Sequence, residues 1–247
     1  MHDADEARRR REVPAVNVAV RGGSDEDAAA LAVGGATVVE EAADPAVVVA
    51  VGDDAIQSAV ADPPAAPLLP VTAAGGRHLV ARDTLDAAVA AVADGDYRVA
   101  AHPVLGVHDD GDAVASGLRD VTLVTDIPAS ISEYALAVGG ERLGSVRADG
   151  VVLATPLGSD GYAAAAGGAV LEAGAGVAVV PIAPFSTAAE TRVVDPDGTV
   201  TVSVEREGAV AVVVDGVHRG VVDQGTAVRI DRAGSLDVVA PTGTENF

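Results

Sequence analysis

The chain of 247 residues carries 16 basic side chains, all of them arginine, against 37 acidic ones, for a formal charge of −21, and it contains no cysteine. A surface this acidic repels phosphate backbones and anionic lipid, which sets aside nucleic-acid and membrane partners, and the lack of cysteine excludes disulfide frameworks, thiolate catalysis and cysteine-ligated metal centres. With 49% apolar residues the chain can bury one or two cores, while its arginine-only cations and 2% aromatic content predict adaptation to molar salt, where charges are screened within about 3 Å.

Residues 1–13, with the run Arg8-Arg9-Arg10-Arg11 flanked by acids, read as a charged tail. No apolar stretch of signal-peptide length follows, and no apolar run reaches the roughly 18 residues of a membrane span. A cytoplasmic location is expected. A β-branched run at 16–20, an Ala-rich helix from Asp25 with Ser24 as its N-cap, and a second strand at 36–39 give a β-α-β pattern. The run 46–51 is apolar on both faces, as a buried parallel strand should be, and stops at Gly52-Asp53-Asp54. A helix at 55–61, a strand at 68–71 after Pro63-Pro64 and an amphipathic helix at 83–93 follow.

After about Tyr97 the pattern changes to short apolar or alternating runs at hairpin spacing. Strands are predicted at 99–107, 121–127, 134–138, 151–155, 176–181, 199–205, 210–214 and 227–230. Turns fall at 109–112, Gly139-Gly140, Asp197-Gly198, Glu207-Gly208 and Asp215-Gly216. This predicts an α/β N-terminal unit and a mostly β C-terminal unit, a sandwich or folded sheet, with a boundary near residue 100.

Two segments are suited to chemistry. At Gly52-Asp53-Asp54 a buried strand runs into a helix, where a glycine lets backbone approach a phosphate and an aspartate can hold Mg²⁺ or accept a proton; a plain helix cap accounts for the same residues. At 149–162 a strand ends in Thr155-Pro156, and a loop of Gly158, Ser159, Asp160 and Gly161 leads to Tyr162 and an Ala-rich helix, presenting backbone donors to a ligand; a tight turn with close packing is the simpler alternative. The five histidines, His2, His78, His102, His108 and His218, lack zinc-site spacing. Ser159 lacks the flank of a nucleophile elbow.

The order of these segments resembles the NAD kinase family. The resemblance rests on Val51 to Ala55 against a Gly-Gly-Asp-Gly-Thr loop, Thr125-Asp126 against an Asn-Glu pair, and the Asp-Gly…Thr-Pro-Leu-Gly-Ser segment at 149–162. It extends to Pro181-Ile182-Ala183-Pro184-Phe185 against a Pro-Ile-x-Pro-His element, and to Asp215-Gly216. It implies a Rossmann-like domain at 14–100 and a β-rich NAD-binding and oligomerisation domain at 101–247, with the active site between them. The implied activity is phosphoryl transfer from ATP or polyphosphate to the adenosine-ribose 2′-hydroxyl of NAD, with Mg²⁺, in a homodimer or homotetramer.

Under the resemblance Asp53 activates the ribose hydroxyl or organises Mg²⁺, Asp54 is a second metal ligand, and Gly52 lets the loop approach phosphates. Thr125 and Asp126 contact the nucleoside, and Asp149, Thr155, Ser159, Asp160, Gly161 and Tyr162 enclose the dinucleotide. The departures are specific. Val51, Asp54 and Ala55 replace loop residues of the family, Thr125-Asp126 shortens the Asn-Glu pair, Asp160-Gly161 replaces Thr-Ala, and Phe185 stands for a histidine. Substitutions concentrated on the phosphate cradle leave a second reading open, a non-catalytic paralogue that binds a nucleotide or dinucleotide as sensor or assembly partner.

Overall fold

Strand β1 (Val16–Gly22) leads through Ser24 into helix α1 (Asp25–Val33) by a reciprocal cap, the Asp27 carboxylate accepting from the Ser24 N–H at 2.7 Å while the Ser24 hydroxyl faces the Asp27 N–H. Arg82 grips the same buried carboxylate through both of its oxygens at 2.7 and 2.8 Å. This guanidinium holds Asp27 at a pKa of about 2, below the usual carboxylate range. The computed structural model describes residues 15–125, 131–206 and 208–242. The expected charged tail at 1–13 and Asp126 lie outside them.

Strands β2 (Ala36–Val38), β3 (Val47–Val51), β4 (Leu68–Thr72) and β5 (Val80–Ala81) join β1 in a parallel ladder ordered β2-β1-β3-β4-β5. Helices α2 (Asp53–Ala61) and α3 (Leu85–Asp94) complete this half. The all-apolar β3 is buried on both faces. Val47 and Val49 pack with Leu31 and Val89 under α1 and α3, whereas Val48 and Ala50 pack with Ile56 and Ala59 under α2.

The second half is β6 (Tyr97–Asp109), β7 (Asp112–Gly117), β8 (Asp120–Thr125), β9 (Ser132–Val138), β10 (Glu141–Ala148), β11 (Gly150–Ala154), the one-turn α4 (Tyr162–Ala165), β12 (Val177–Ile182), β13 (Arg192–Val194), β14 (Val200–Arg206), β15 (Val210–Val214), β16 (Val217–Val222) and β17 (Ala227–Pro241). One sheet runs β13-β12-β11-β8-β15-β16; the other carries β10-β9-β14-β17 and continues into β4. Their inner faces meet in a Val-rich core containing Leu123, Tyr134, Leu153, Val202, Val212 and Ile230. Among the described residues no helix is long and apolar enough to cross a membrane.

Strand β17 joins the two halves. It pairs antiparallel with β6 from Val228 opposite Asp109 to Pro241 opposite Tyr97, and its Val238 lies parallel to Leu68 of β4. The strand predicted at 227–230 is therefore a quarter of the real one, which continues through Asp231, Arg232 and Gly234 with a register shift between Arg232 and Gly234. Strand β10 went unpredicted because it lies at a sheet edge and is mostly exposed, so its sequence lacks an apolar stripe. The Ala-rich helix expected after Gly161 stops after one turn. Gly167 takes φ +94, and a Cβ on Gly168 would lie 2.8 Å from the Ala163 carbonyl oxygen.

Candidate active site

The tip of β3 opens the site. Gly52 adopts φ +93, its N–H donates to the Val71 carbonyl at 2.8 Å, and apart from its own chain neighbours no atom lies within 4 Å of the position a Cβ would take. That backbone angle suits glycine, and the space above it is open. Asp53 and Asp54 follow, both exposed in the first turn of α2, which has no side-chain cap. Carboxylates are favoured at this end of the helix dipole. Behind them the buried Ala55 and Ile56 anchor the helix to the sheet.

Opposite the tip, the link between β7 and β8 folds around the buried carboxylate of Asp215. Its Oδ1 accepts from the backbone N–H groups of Arg119 at 2.7 Å and Asp120 at 3.0 Å; its Oδ2 accepts from Leu118 N–H at 2.8 Å and from Gln57 Nε2 at 2.5 Å. Asp215 itself sits at φ +49 in the β15–β16 turn, a conformation that aspartate tolerates better than most residues. Its carbonyl accepts from Arg119 Nη2 at 3.0 Å, and Arg219 of β16 donates to Gln57 Oε1 at 3.1 Å. Arg119 then reaches across, placing Nη1 3.1 Å from Asp53 Oδ1. A single carboxylate thus ties helix α2, the 118–120 segment and the β15–β16 turn together. Burial pushes the neighbouring Asp120 up to about 6, and the Asp215 charge pushes in the same direction.

The Thr-Pro turn meets the same segment from its other side. Thr155 donates its N–H to the Arg119 carbonyl at 2.9 Å and its hydroxyl to the Leu118 carbonyl at 2.6 Å. A Cβ on Gly158 would lie 2.4 Å from the Arg119 carbonyl oxygen, so only glycine permits this approach. Leu157 packs in one cluster with Leu118 and Ile56. Ser159 is fully buried, donating to the Pro156 carbonyl at 2.9 Å and accepting from the Leu171 N–H at 2.8 Å. The hydroxyls of Thr155 and Ser159 are therefore engaged by protein and shape the turn. Asp160 accepts from the Arg77 N–H at 2.5 Å, tying the turn to the loop after β4. Beyond it Gly161 is exposed, and Tyr162 is 47% exposed.

The Gly52-Asp53 tip and the 155–158 turn thus converge on residues 118–120. Thr125 and Asp149 lie elsewhere. They close the opposite end of the β8–β11 ladder, in which Asp120 pairs with Ala154 and Val124 with Gly150, about 17 Å along the strand from Asp120. There the Asp149 carbonyl accepts from the Thr125 N–H at 2.9 Å, the Thr125 hydroxyl at 3.2 Å and the Tyr134 hydroxyl at 3.3 Å. Burial raises the Tyr134 phenol above its usual range. Phe185 is 74% exposed, with the Arg147 guanidinium 5.6 Å from its ring centre.

Sequence reasoning missed Arg119, Asp120 and Gln57, and read Asp215 as a turn residue and, with Gly216, as one block of the family resemblance, without the partners its carboxylate gathers. The one available signal was Asp215-Gly216, because an aspartate before a turn glycine can carry both a left-handed backbone and an anionic acceptor. Among the described residues no group of three histidine, aspartate or glutamate side chains forms a metal cage. Asp53 and Asp54 suit Mg²⁺ only as a partial donor set, since that ion commonly takes one or two carboxylates together with water and substrate phosphate.

Residues 118–245 match the family model described as ATP-NAD kinase C-terminal domain. The NAD kinase of Methanopyrus kandleri is 35% identical over 138 residues, covering 56% of this chain and 50% of that protein. The NAD kinase of Thermoplasma acidophilum is 29% identical over 153 residues, covering 61% and 56%. The chain thus matches about half the length of these curated relatives. Among solved structures, yeast NADH kinase complexed with NADH superposes with TM-score 0.70 at 17% identity, covering 93% of this chain and 84% of that one. An NAD kinase from Archaeoglobus fulgidus in complex with ATP gives 0.64 at 23% identity, covering 93% and 94%. These likenesses show the fold, an α/β N-terminal region followed by a β-rich one. The family match spans more than half of the chain and takes in Arg119, Thr155 and Asp215, and on that ground the chain belongs to the NAD kinase family.

Proposed function

We propose that this chain transfers a phosphoryl group from ATP, or polyphosphate, to the adenosine-ribose 2′-hydroxyl of NAD, giving NADP. The observation that supports this best is the meeting of the exposed Asp53 tip and the 155–158 turn on one segment, beside a glycine whose outer face is open. Asp53 accepts the proton of the 2′-hydroxyl as that oxygen bonds to the γ-phosphorus and the bond from the γ-phosphorus to the β-phosphate oxygen breaks, releasing ADP. Gly52 admits the phosphates to the N-terminus of α2. Mg²⁺ would be held by Asp53 and Asp54 together with the donor's own oxygens, and would supply neutralisation of phosphate charge. Thr155 and Ser159 hold the turn in shape, while Asp160, Gly161 and Tyr162 border the dinucleotide.

The same reading assigns Thr125 and Asp126 to the nucleoside and Asp149 to the enclosure of the dinucleotide, and divides the chain into a Rossmann-like domain at 14–100 and an NAD-binding, oligomer-forming domain at 101–247. It includes a homodimer or homotetramer, a cytoplasmic role in NADP biosynthesis, and operation in molar salt. The names of the curated relatives favour turnover over a binding-only paralogue. The experiment is mass-spectrometric detection of NADP from NAD and Mg-ATP in multimolar KCl. NADP formed at a rate proportional to protein supports the proposal; dinucleotide binding without product refutes it.

A further inference from the structure

The established family match leaves Arg119 without a role, and the geometry around it is specific. Its backbone N–H is fixed by Asp215 Oδ1 at 2.7 Å and its carbonyl accepts from the Thr155 N–H at 2.9 Å, so the main chain is held from both sides. Its side chain is only 21% exposed, and Nη2 is bound to the Asp215 carbonyl at 3.0 Å. What remains free to reach outward is Nη1, and it reaches Asp53 at 3.1 Å. Asp53 itself is 63% exposed. An exposed ion pair contributes little to stability, so this contact is better placed to orient a carboxylate than to hold the fold together. The exposed first turn of α2 otherwise carries acids, Asp53 and Asp54.

We infer that Arg119 is a positioning residue for Asp53: the Asp215-bound 118–120 segment presents its guanidinium so that the exposed carboxylate is held in one orientation at the tip of β3. The inference rests on the kinase reading for its kinetic consequence but not for its structural one. An aspartate on the first residue of a helix has several open rotamers, and one fixed partner selects among them. Because the guanidinium is itself tethered to the Asp215 carbonyl, the selection is made by a group that does not move with solvent. Arginine is suited to this because its planar fork bonds two acceptors at once, whereas lysine offers a single flexible ammonium.

The test is Arg119→Gln and Arg119→Lys, with kcat and KM for NAD and ATP, thermal melting, and a carboxyl-¹³C spectrum of the resting protein. Misplacing a reacting group by about 1 Å costs on the order of 10²-fold in rate. Arg119→Gln is therefore expected to lower kcat by that order, with both KM values and the melting temperature unchanged. Arg119→Lys should recover part of the loss, and guanidinium ion added to Arg119→Ala should do the same. In the carboxyl spectrum the Asp53 resonance moves in Arg119→Gln while that of Asp54 stays. An unchanged kcat overturns the inference. A loss confined to the KM for ATP overturns it in favour of phosphate binding, and a loss that follows a fall in melting temperature overturns it in favour of a structural role. If the wild-type protein forms no NADP, the kinase reading fails, and the Asp53 resonance alone decides: movement supports the positioning role, no movement overturns it.

Discussion

Replacing Asp215 with asparagine isolates the carboxylate on which the site is organised. The backbone is undisturbed, because asparagine also tolerates the left-handed φ of +49. One oxygen remains and can keep the N–H groups of Arg119 and Asp120, but the other becomes an NH₂ facing two donors, Leu118 N–H and Gln57 Nε2. The Gln57 amide can flip to accept from it, and then loses its bond to Arg219. A hydrogen bond to a charged acceptor contributes about 1.5–3 kcal/mol, and a buried donor left unpaired costs about 1–3 kcal/mol. The sum after the flip is about 3 kcal/mol, which for a chain of this size lowers Tm by about 6–12 °C. Calorimetry of both proteins in molar KCl measures it. Gln57→Ala, which removes one donor to the same carboxylate, should cost about 1.5–3 kcal/mol and so about 3–12 °C. An Asp215→Asn protein melting within about 2 °C of wild type would show that the carboxylate does not organise the 118–120 segment.

Asp120 is raised to about 6 by burial and then by the Asp215 charge; since its unfolded value is about 3.9, the protonated acid favours the fold below about pH 4, and that contribution is lost as pH rises through about 6. Asp120→Asn should therefore be more stable than wild type at pH 7.5, by up to about 3 kcal/mol, with the difference vanishing near pH 4; equal pH–Tm curves for the two proteins would contradict this. Gly158→Ala drives a Cβ to 2.4 Å from the Arg119 carbonyl oxygen, and forced overpacking of this kind costs about 1–3 kcal/mol or more. Its melting temperature should fall and its NAD affinity with it, and an unchanged Tm would mean that the turn and the 118–120 segment do not pack as described. Lowering KCl from molar to about 0.1 M lengthens the screening distance from about 3 to about 10 Å, so a chain of net charge −21 should lose stability steeply; a Tm indifferent to KCl would remove the case for salt adaptation.

How far the sequence could be read follows from where its signals are local. Strand β3 is legible because Val47 to Val51 are apolar on both faces and end at a glycine, and α1 because Ser24 stands as an N-cap before an Ala-rich run from Asp25. Strand β10 was not legible because, although it pairs with its sequence neighbour β9, it lies at the sheet edge with most of its side chains exposed, and most of β17 was not because its pairing is fixed by β6, more than 100 residues earlier in the chain. The same holds at the site. Gly52, Asp53 and the Thr155 turn are visible as glycine, acid and Thr-Pro punctuation between predicted elements. Arg119 and Asp120 carry no such mark. Their significance comes from a carboxylate about 95 residues away in sequence, Asp215, which turns three consecutive backbone N–H groups inward. Nothing in the local pattern of residues 118–120 announces that partner.

Under the proposed function, Asp53 at the tip of β3 removes the ribose proton. The most direct test of that step is the rate of NADP formation by Asp53→Asn beside wild type, at saturating NAD and Mg-ATP in multimolar KCl. A positioned general base contributes about 10²–10⁴-fold. A loss of that order with an unchanged melting temperature is the predicted result, and an Asp53→Asn protein that turns over at the wild-type rate would contradict the account.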